Sequence, residues 1–179
     1  MNTPRKGIAD RYGMTYQAVE GVPQVHGESG PADAFRFTLI ASRYNTELTE
    51  SLVAQAVCAL RQEGARVEQI RVVWVPGAFE IPAVLEYCAR SGGDDALIAI
   101  GAVLEGETPH AAAINESVAR SLNEISRQYS VPVIDAVVVA RTMEQAVERC
   151  MGETHNRGTY AAKAAIEMAY VFHRLKNQG

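Results

Sequence analysis

Ile70-Arg71-Val72-Val73-Trp74-Val75 runs directly into Pro76-Gly77-Ala78-Phe79-Glu80 and then Ile81-Pro82. The β-branched run reads as a strand, and Pro76-Gly77 stops it. Pro82 falls near the first turn of a new helix, where it is tolerated because first-turn N–H groups have no intrahelical partner anyway. The stretch therefore reads as strand, tight turn and helix start. In an open α/β sheet such a turn lies at the carboxyl end of a strand, where ligands usually bind. Gly77 lets a ligand approach the backbone closely, and Glu80 adds a carboxylate. An ordinary strand-to-helix connection has the same pattern, and on this segment alone it is the favoured reading.

The same alternation continues on both sides. Phe35 to Ala41 reads as a first strand, ending in Ser42-Arg43-Tyr44-Asn45. A helix begins near Asn45 or Thr46, either of which can cap it. Its apolar positions Leu48, Leu52, Val53, Ala56, Val57 and Leu60 follow helical spacing, and Gly64 is a natural stop. The second strand covers about Val67 to Val75, and the second helix about Ile81 to Arg90. Ala96 to Val103 is a nearly continuous apolar run, as expected of a strand buried on both faces. A long helix from about Ala112 to Tyr129 follows, then a strand from Val131 to Val139. Thr142 caps a short helix carrying Met143 to Arg149, and an irregular link from Met151 to Gly158 leads to a final helix from about Thr159 to Leu175.

Helices alternating with apolar strands predict a parallel sheet with helices on both faces and right-handed crossovers. The expected class is α/β: a three-layer α/β/α, flavodoxin-like arrangement of four parallel strands. Residues 1–34 carry scattered Gly, Pro and polar residues. They read as a tail that packs on a neighbouring subunit or stays mobile. Residues 35–179 read as one domain.

Composition narrows the function classes. A chain of 179 residues suits one domain with a real core. A formal charge of −4 with no basic stripe argues against nucleic acid. No apolar run approaches a membrane span, and no apolar stretch follows Arg5-Lys6 to make a signal peptide. Cys58, Cys88 and Cys150 are odd in number and widely spaced, which fits neither a disulfide framework nor a CxxC site. A reduced, cytoplasmic protein is the expectation. The cysteines fall in helical segments and read as small core residues, with Cys150 flagged because it adjoins Arg149. Four histidines without ligand spacing predict no metal site.

Four loops meet at the expected carboxyl edge: Ser42 to Asn45, Pro76 to Glu80, Gly106 to His110, and the segment after Val139. They bring together the ring of Tyr44, the Glu80 carboxylate, Thr108 with its neighbouring amides, and His110. Arg149 lies on the next helix. His110 suits proton transfer near neutral pH, although a surface histidine near a helix start is common. Gly106-Glu107-Thr108 is a short turn before a helix, a place that binds phosphate through amides and the helix dipole. It matches no P-loop or GxGxxG pattern. Arg149 can pair with phosphate bidentately, and a solvated helix-surface charge is the usual fate of one arginine. Tyr44 can stack on a planar heterocycle or simply cover the end of the first strand.

Taken together, Val75-Pro76-Gly77-Ala78-Phe79-Glu80-Ile81-Pro82, Gly106-Glu107-Thr108-Pro109-His110, the run from Glu144 to Arg149, Asn156-Arg157-Gly158 and the run from Ala164 to Met168 resemble the 6,7-dimethyl-8-ribityllumazine synthase family, in order and spacing, over about Phe35 to Leu175. The resemblance implies condensation of 5-amino-6-(D-ribitylamino)uracil with 3,4-dihydroxy-2-butanone 4-phosphate, releasing phosphate and water, without a cofactor. It implies that Tyr44 stacks on the pyrimidine, with Asn45 and Val103 shaping that pocket. Ala78, Phe79 and Glu80 contact the pyrimidine and ribityl chain. Gly106, Glu107, Thr108 and Arg149 bind phosphate, and His110 shuttles protons. A residue from Val133 to Asp135 comes from the adjacent subunit.

The same resemblance implies a homopentamer or an icosahedral capsid built of pentamers, with riboflavin synthase as a functional partner. The chain departs from the family pattern at three places. Asp135 stands where a stacking aromatic is usual, Ala111-Ala112-Ala113 replaces Phe-Asp-Tyr, and Arg157 replaces a lysine. Asp135 keeps open a second reading, a non-catalytic relative that binds lumazine or flavin, or only builds a shell. A generic flavodoxin-like nucleotide binder is a third, against which His110 and Arg149 speak. The stripe Ile114, Val118, Leu122 and Ile125 suits either a five-fold bundle of helices or packing on the sheet, and cannot serve both fully.

Overall fold

The computed structural model describes residues 21–25, 27, 30–106 and 110–177, with His110 described in its backbone alone. Its four strands are β1 (Phe37–Ser42), β2 (Ile70–Val75), β3 (Ala96–Leu104) and β4 (Val133–Ala140). They form one parallel sheet in the order β2-β1-β3-β4. Among the described residues the helices are α1 (Thr46–Gln62), α2 (Ile81–Ser91), α3 (His110–Tyr129), α4 (Met143–Met151) and α5 (Arg157–Asn177).

The strand order explains the two cores. The chain steps from β1 to β2 in one direction, then returns past β1 to β3 and β4. With right-handed crossovers, reversing direction moves the helices to the opposite face. One core joins Leu39, Leu52, Ile98, Ile100 and Ile166 under α1, α4 and α5. The other joins Ile40, Ile81, Leu85, Ala99, Val118 and Leu122 under α2 and α3. β1 is buried along its whole length, and so are the first seven residues of β3, as central strands covered on both faces must be.

Packing on the α1/α5 side is close because α5 offers Ala161, Ala162, Ala165 and Ala169. Gly158 is essential to it. A side chain there would collide with the Leu52 carbonyl of α1. Asn156 starts α5: its Oδ1 accepts the amides of Gly158 at 2.9 Å and Thr159 at 3.2 Å, while its Nδ2 donates to the Cys150 carbonyl at 2.7 Å.

Several element ends differ from the sequence expectation. Residues 67–69 form a single 3₁₀ turn instead of strand, because Gln69 Oε1 accepts the Arg66 amide at 2.9 Å and its Nε2 donates to the Asp33 carbonyl at 2.6 Å. Phe35 belongs to the core but not to β1. Its amide closes a turn on Ala32, and its ring meets Tyr170 edge-on at 4.6 Å. α3 begins at His110, two residues early, and α5 at Arg157. Part of the 1–34 segment lies on this chain's own helices: Tyr170 donates to the Pro31 carbonyl at 2.8 Å and the Ala32 amide to the Glu63 carbonyl at 2.7 Å.

The α3 stripe is spent on its own sheet. Val118, Leu122 and Ile125 are buried in the α2/α3 core and Ile114 packs against it, so this stripe is not available for a five-fold bundle.

Candidate functional site

The order in which the chain adds strands reverses between β1 and β3, and in open α/β sheets the crevice at that junction, outside the carboxyl ends, is where ligands bind. The loop after β1 is tightly held. The Arg43 amide donates to the Val75 carbonyl at 2.8 Å, and Thr49 Oγ1 donates to the Tyr44 carbonyl at 3.3 Å. Asn45 adopts the left-handed conformation at φ 55°, which asparagine tolerates better than most residues. That conformation turns its side chain away from the helix end. It does not cap α1. Its Nδ2 instead donates to the Ala102 carbonyl of β3 at 2.8 Å, bridging the crevice. Tyr44 is fixed in its backbone while its side chain is 70% exposed at the rim.

The turn after β2 contributes from the α2/α3 side. Ala78–Glu80 is one 3₁₀ turn leading straight into α2. Ala78 is buried, Phe79 is 62% exposed and Glu80 is exposed. Gly77 is extended, so its role is not conformational. A Cβ there would lie 2.9 Å from Glu80 Oε2, and the missing side chain lets that carboxylate fold back over the turn. Val103 packs on the same face.

The loop after β3 is tied to β4. The Glu105 amide donates to the Ala140 carbonyl at 2.9 Å, and Arg141 Nε lies 3.4 Å from Glu105 Oε2. Among the described residues, nothing lies within 4 Å of where a side chain on Gly106 would go. Glu107 and Thr108 lie outside the described residues, as does the side chain of His110. The His110 backbone opens α3, whose first-turn amides and dipole favour an anion.

After β4, Thr142 caps α4 by accepting the Gln145 amide at 3.3 Å, and Gln145 Oε1 accepts the Arg141 amide at 3.1 Å. The Glu144 carboxyl is held below its ordinary range chiefly by its own backbone amide and then by the Thr142 hydroxyl. Arg149 is exposed and has no ion pair or hydrogen bond to another described residue. Its helix packs through Ala146 and Cys150 into the α1/α5 core, the sheet face opposite Ala78 and Val103.

Asp135 is not brought to these loops within one chain. It lies five residues before the end of β4, about 17 Å from the carboxyl edge at strand rise. Its Oδ1 accepts the Val137 amide at 2.9 Å, and its carbonyl accepts Arg157 Nη2 at 2.9 Å. Both backbone groups face the outer edge of β4, so these side chains saturate part of that edge. Cys150 also moves away from the site. It is fully buried, and burial pushes its thiol up to about 11, leaving it protonated and inert near neutrality. Cys58, read as a core residue, is exposed.

Sequence reading missed Arg141 and Ser42. Arg141 gave no signal, because its partner Glu105 lies 36 positions away in the chain. Ser42 read as the start of a loop after an apolar run, whereas it is the buried last residue of β1.

A family model described as 6,7-dimethyl-8-ribityllumazine synthase matches residues 34–173. The chain belongs to this family. The match to the lumazine synthase model spans every strand and helix of the sheet domain up to the last turns of α5, including all four edge loops. The family is one of transferases in riboflavin biosynthesis. Among the described residues, no helix is long and apolar enough to cross a membrane.

Proposed function

We propose that this chain condenses 5-amino-6-(D-ribitylamino)uracil with 3,4-dihydroxy-2-butanone 4-phosphate to form 6,7-dimethyl-8-ribityllumazine, with loss of phosphate and water and without a cofactor. The observation that carries this reading is the lumazine synthase match over residues 34–173, which includes His110, Glu80 and Arg149. In this reading Tyr44 covers the pyrimidine, and Asn45, Val103, Ala78, Phe79 and Glu80 hold the ring and ribityl chain. Gly106, Glu107, Thr108 and Arg149 bind the phosphate.

The catalytic logic is mainly positional. Holding two substrates in register makes a bimolecular condensation effectively unimolecular, which supplies on the order of 7–11 kcal/mol. His110 adds proton transfer during imine formation and phosphate elimination, typically about 10²–10⁴-fold. The separation of Asp135 from the edge loops supports a site completed by the Val133 to Asp135 segment of an adjacent subunit, in a homopentamer or a capsid of pentamers. Soluble substrates of this kind suit a cytoplasmic protein that hands its product to riboflavin synthase. Mixing both substrates with the purified chain and following lumazine absorbance tests the reaction. Absence of product with both in excess sinks it.

A second reading, a non-catalytic binder of lumazine or flavin, is favoured by one observation. The Asp135 carboxylate is bonded to the Val137 amide and presents a charged group where the family has a stacking ring. Tight lumazine binding without turnover supports this reading.

A further inference from the structure

Among the described residues, the Arg71–Asp94 ion pair lies at the amino edge of the sheet and Arg120–Glu116 spans one turn of α3. Only Arg141–Glu105 joins two of the loops at the carboxyl edge, with Nε 3.4 Å from Oε2. Both residues are pinned through their backbones. The Glu105 amide donates to the Ala140 carbonyl at 2.9 Å, and the Arg141 amide to Gln145 Oε1 at 3.1 Å. Side chains alternate between the faces of a sheet. Continuing that alternation, Glu105 follows Val103 and Arg141 follows Val137 onto the α2/α3 face, opposite the face that α4 covers with Arg149. The Arg141 and Glu105 side chains are 83% and 39% exposed. An ion pair so open to water adds little to stability, so what it does is local. Glu105 immediately precedes Gly106, where the proposed phosphate site begins. A phosphate monoester carries roughly −1.5 to −2 charges near neutrality, and a bare carboxylate beside it repels it.

We propose that Arg141 is a positioning residue for the phosphate-bearing substrate, acting through Glu105: it holds that carboxylate toward β4 and offsets its charge, so that the turn at Gly106 receives an anion. Arg149 lies on the other sheet face and does not perform this task within the same chain. The inference rests on the proposed lumazine-forming reaction.

Steady-state kinetics of the full-length chain at low salt test this, because the two halves of the pair should act in opposite directions. Arg141→Ala should raise KM for the phosphate-bearing ketone about 5-fold, the upper end for one exposed charge pair. Its pyrimidine KM and melting temperature should stay near wild type. Glu105→Gln should lower the ketone KM below wild type, and adding it to Arg141→Ala should restore the wild-type value. Arg141→Lys, which keeps the charge, should behave as wild type. The differences should shrink as salt is raised, since exposed charges are screened. A ketone KM raised by both single substitutions, or a double variant no better than Arg141→Ala, makes the pair a structural latch and overturns the proposal. Arg141→Ala at the wild-type ketone KM overturns it as well, with the parent reaction intact. A wild type that forms no lumazine overturns the parent reaction and this assignment with it.

Discussion

Asn156 and Ser42 are both buried polar side chains, 5% and 1% exposed, and they are treated in opposite ways. Asn156 makes three hydrogen bonds that join the end of α4 to the start of α5. Ser42 makes none among the described residues. The contrast extends to their surroundings. In the α4–α5 link, polar groups are consumed by the chain itself, and Gly158 closes the contact with α1. At the carboxyl edge the backbone is pinned, yet Tyr44, Phe79, Glu80 and Arg149 remain exposed. Spent polar groups mark architecture, and in the proposed function the exposed groups on the pinned edge are the ones left for substrate. Substitutions in the link should therefore change stability, and substitutions at the edge should change rates.

The largest separation is expected at His110. His110→Ala should lower kcat about 10²–10⁴-fold and leave pyrimidine binding and the melting temperature near wild type, as measured by stopped-flow absorbance and thermal denaturation. Loss of pyrimidine binding instead would refute the proton-shuttle role. On the architectural side, Gly158→Ala should cost at least about 1–3 kcal/mol, the usual scale of overpacking, since the Leu52 carbonyl is backbone and cannot rotate away. Urea midpoints measure it, and a variant as stable as wild type would show that α5 can shift freely.

Asn156→Ala should cost about 2 kcal/mol, the upper range for a helix cap, because it removes the cap and leaves the Cys150 carbonyl short of a partner; kcat per folded molecule should be retained. Arg149→Ala should raise KM for the phosphate-bearing substrate about 10-fold or more, the scale of one charge-assisted bond, and leave pyrimidine KM and stability unchanged. Equal effects on both KM values would move Arg149 out of the phosphate site.

The smallest effect is one of pH. Burial raises the Cys150 thiol from 9.0 to about 11, so the folded chain holds that proton to higher pH than the unfolded chain does. The contribution is neutral below about pH 9, and stability declines as pH rises from there toward 11. Cys150→Ala should flatten the decline in urea midpoints across that window, and an unchanged slope would assign it to other groups.

Much of the fold could be read from residues alone, because strands buried on both faces are mainly apolar runs: β3 is one throughout, and β1 is one apart from Thr38 and Ser42. Thr142 also announced α4 correctly, since a hydroxyl before a helix has one common use. Asn45 shows where the method stopped. An asparagine before a helix reads as a cap, and only its left-handed backbone sends the side chain to Ala102 instead. Asp135 shows another limit. Whether a strand lies at the edge depends on strand order, and periodicity carries no information about order. At the site, the residue types were visible but their distribution over the two sheet faces was not, since Arg149 and Ala78 differ in face through the crossover geometry. Ser42 was invisible because its burial depends on the strands beside β1, which its own position at the end of an apolar run does not reveal.

The three cysteines sit at different depths: Cys58 at the surface, Cys88 and Cys150 enclosed. A thiol-reactive dye added to the native chain should therefore consume one equivalent quickly and the other two only as the molecule opens. The delay between the first and the later equivalents is a clock for opening events, with Cys88 reporting on the α2/α3 half and Cys150 on the α1/α5 half. One reagent can thus tell which half of the molecule lets go first.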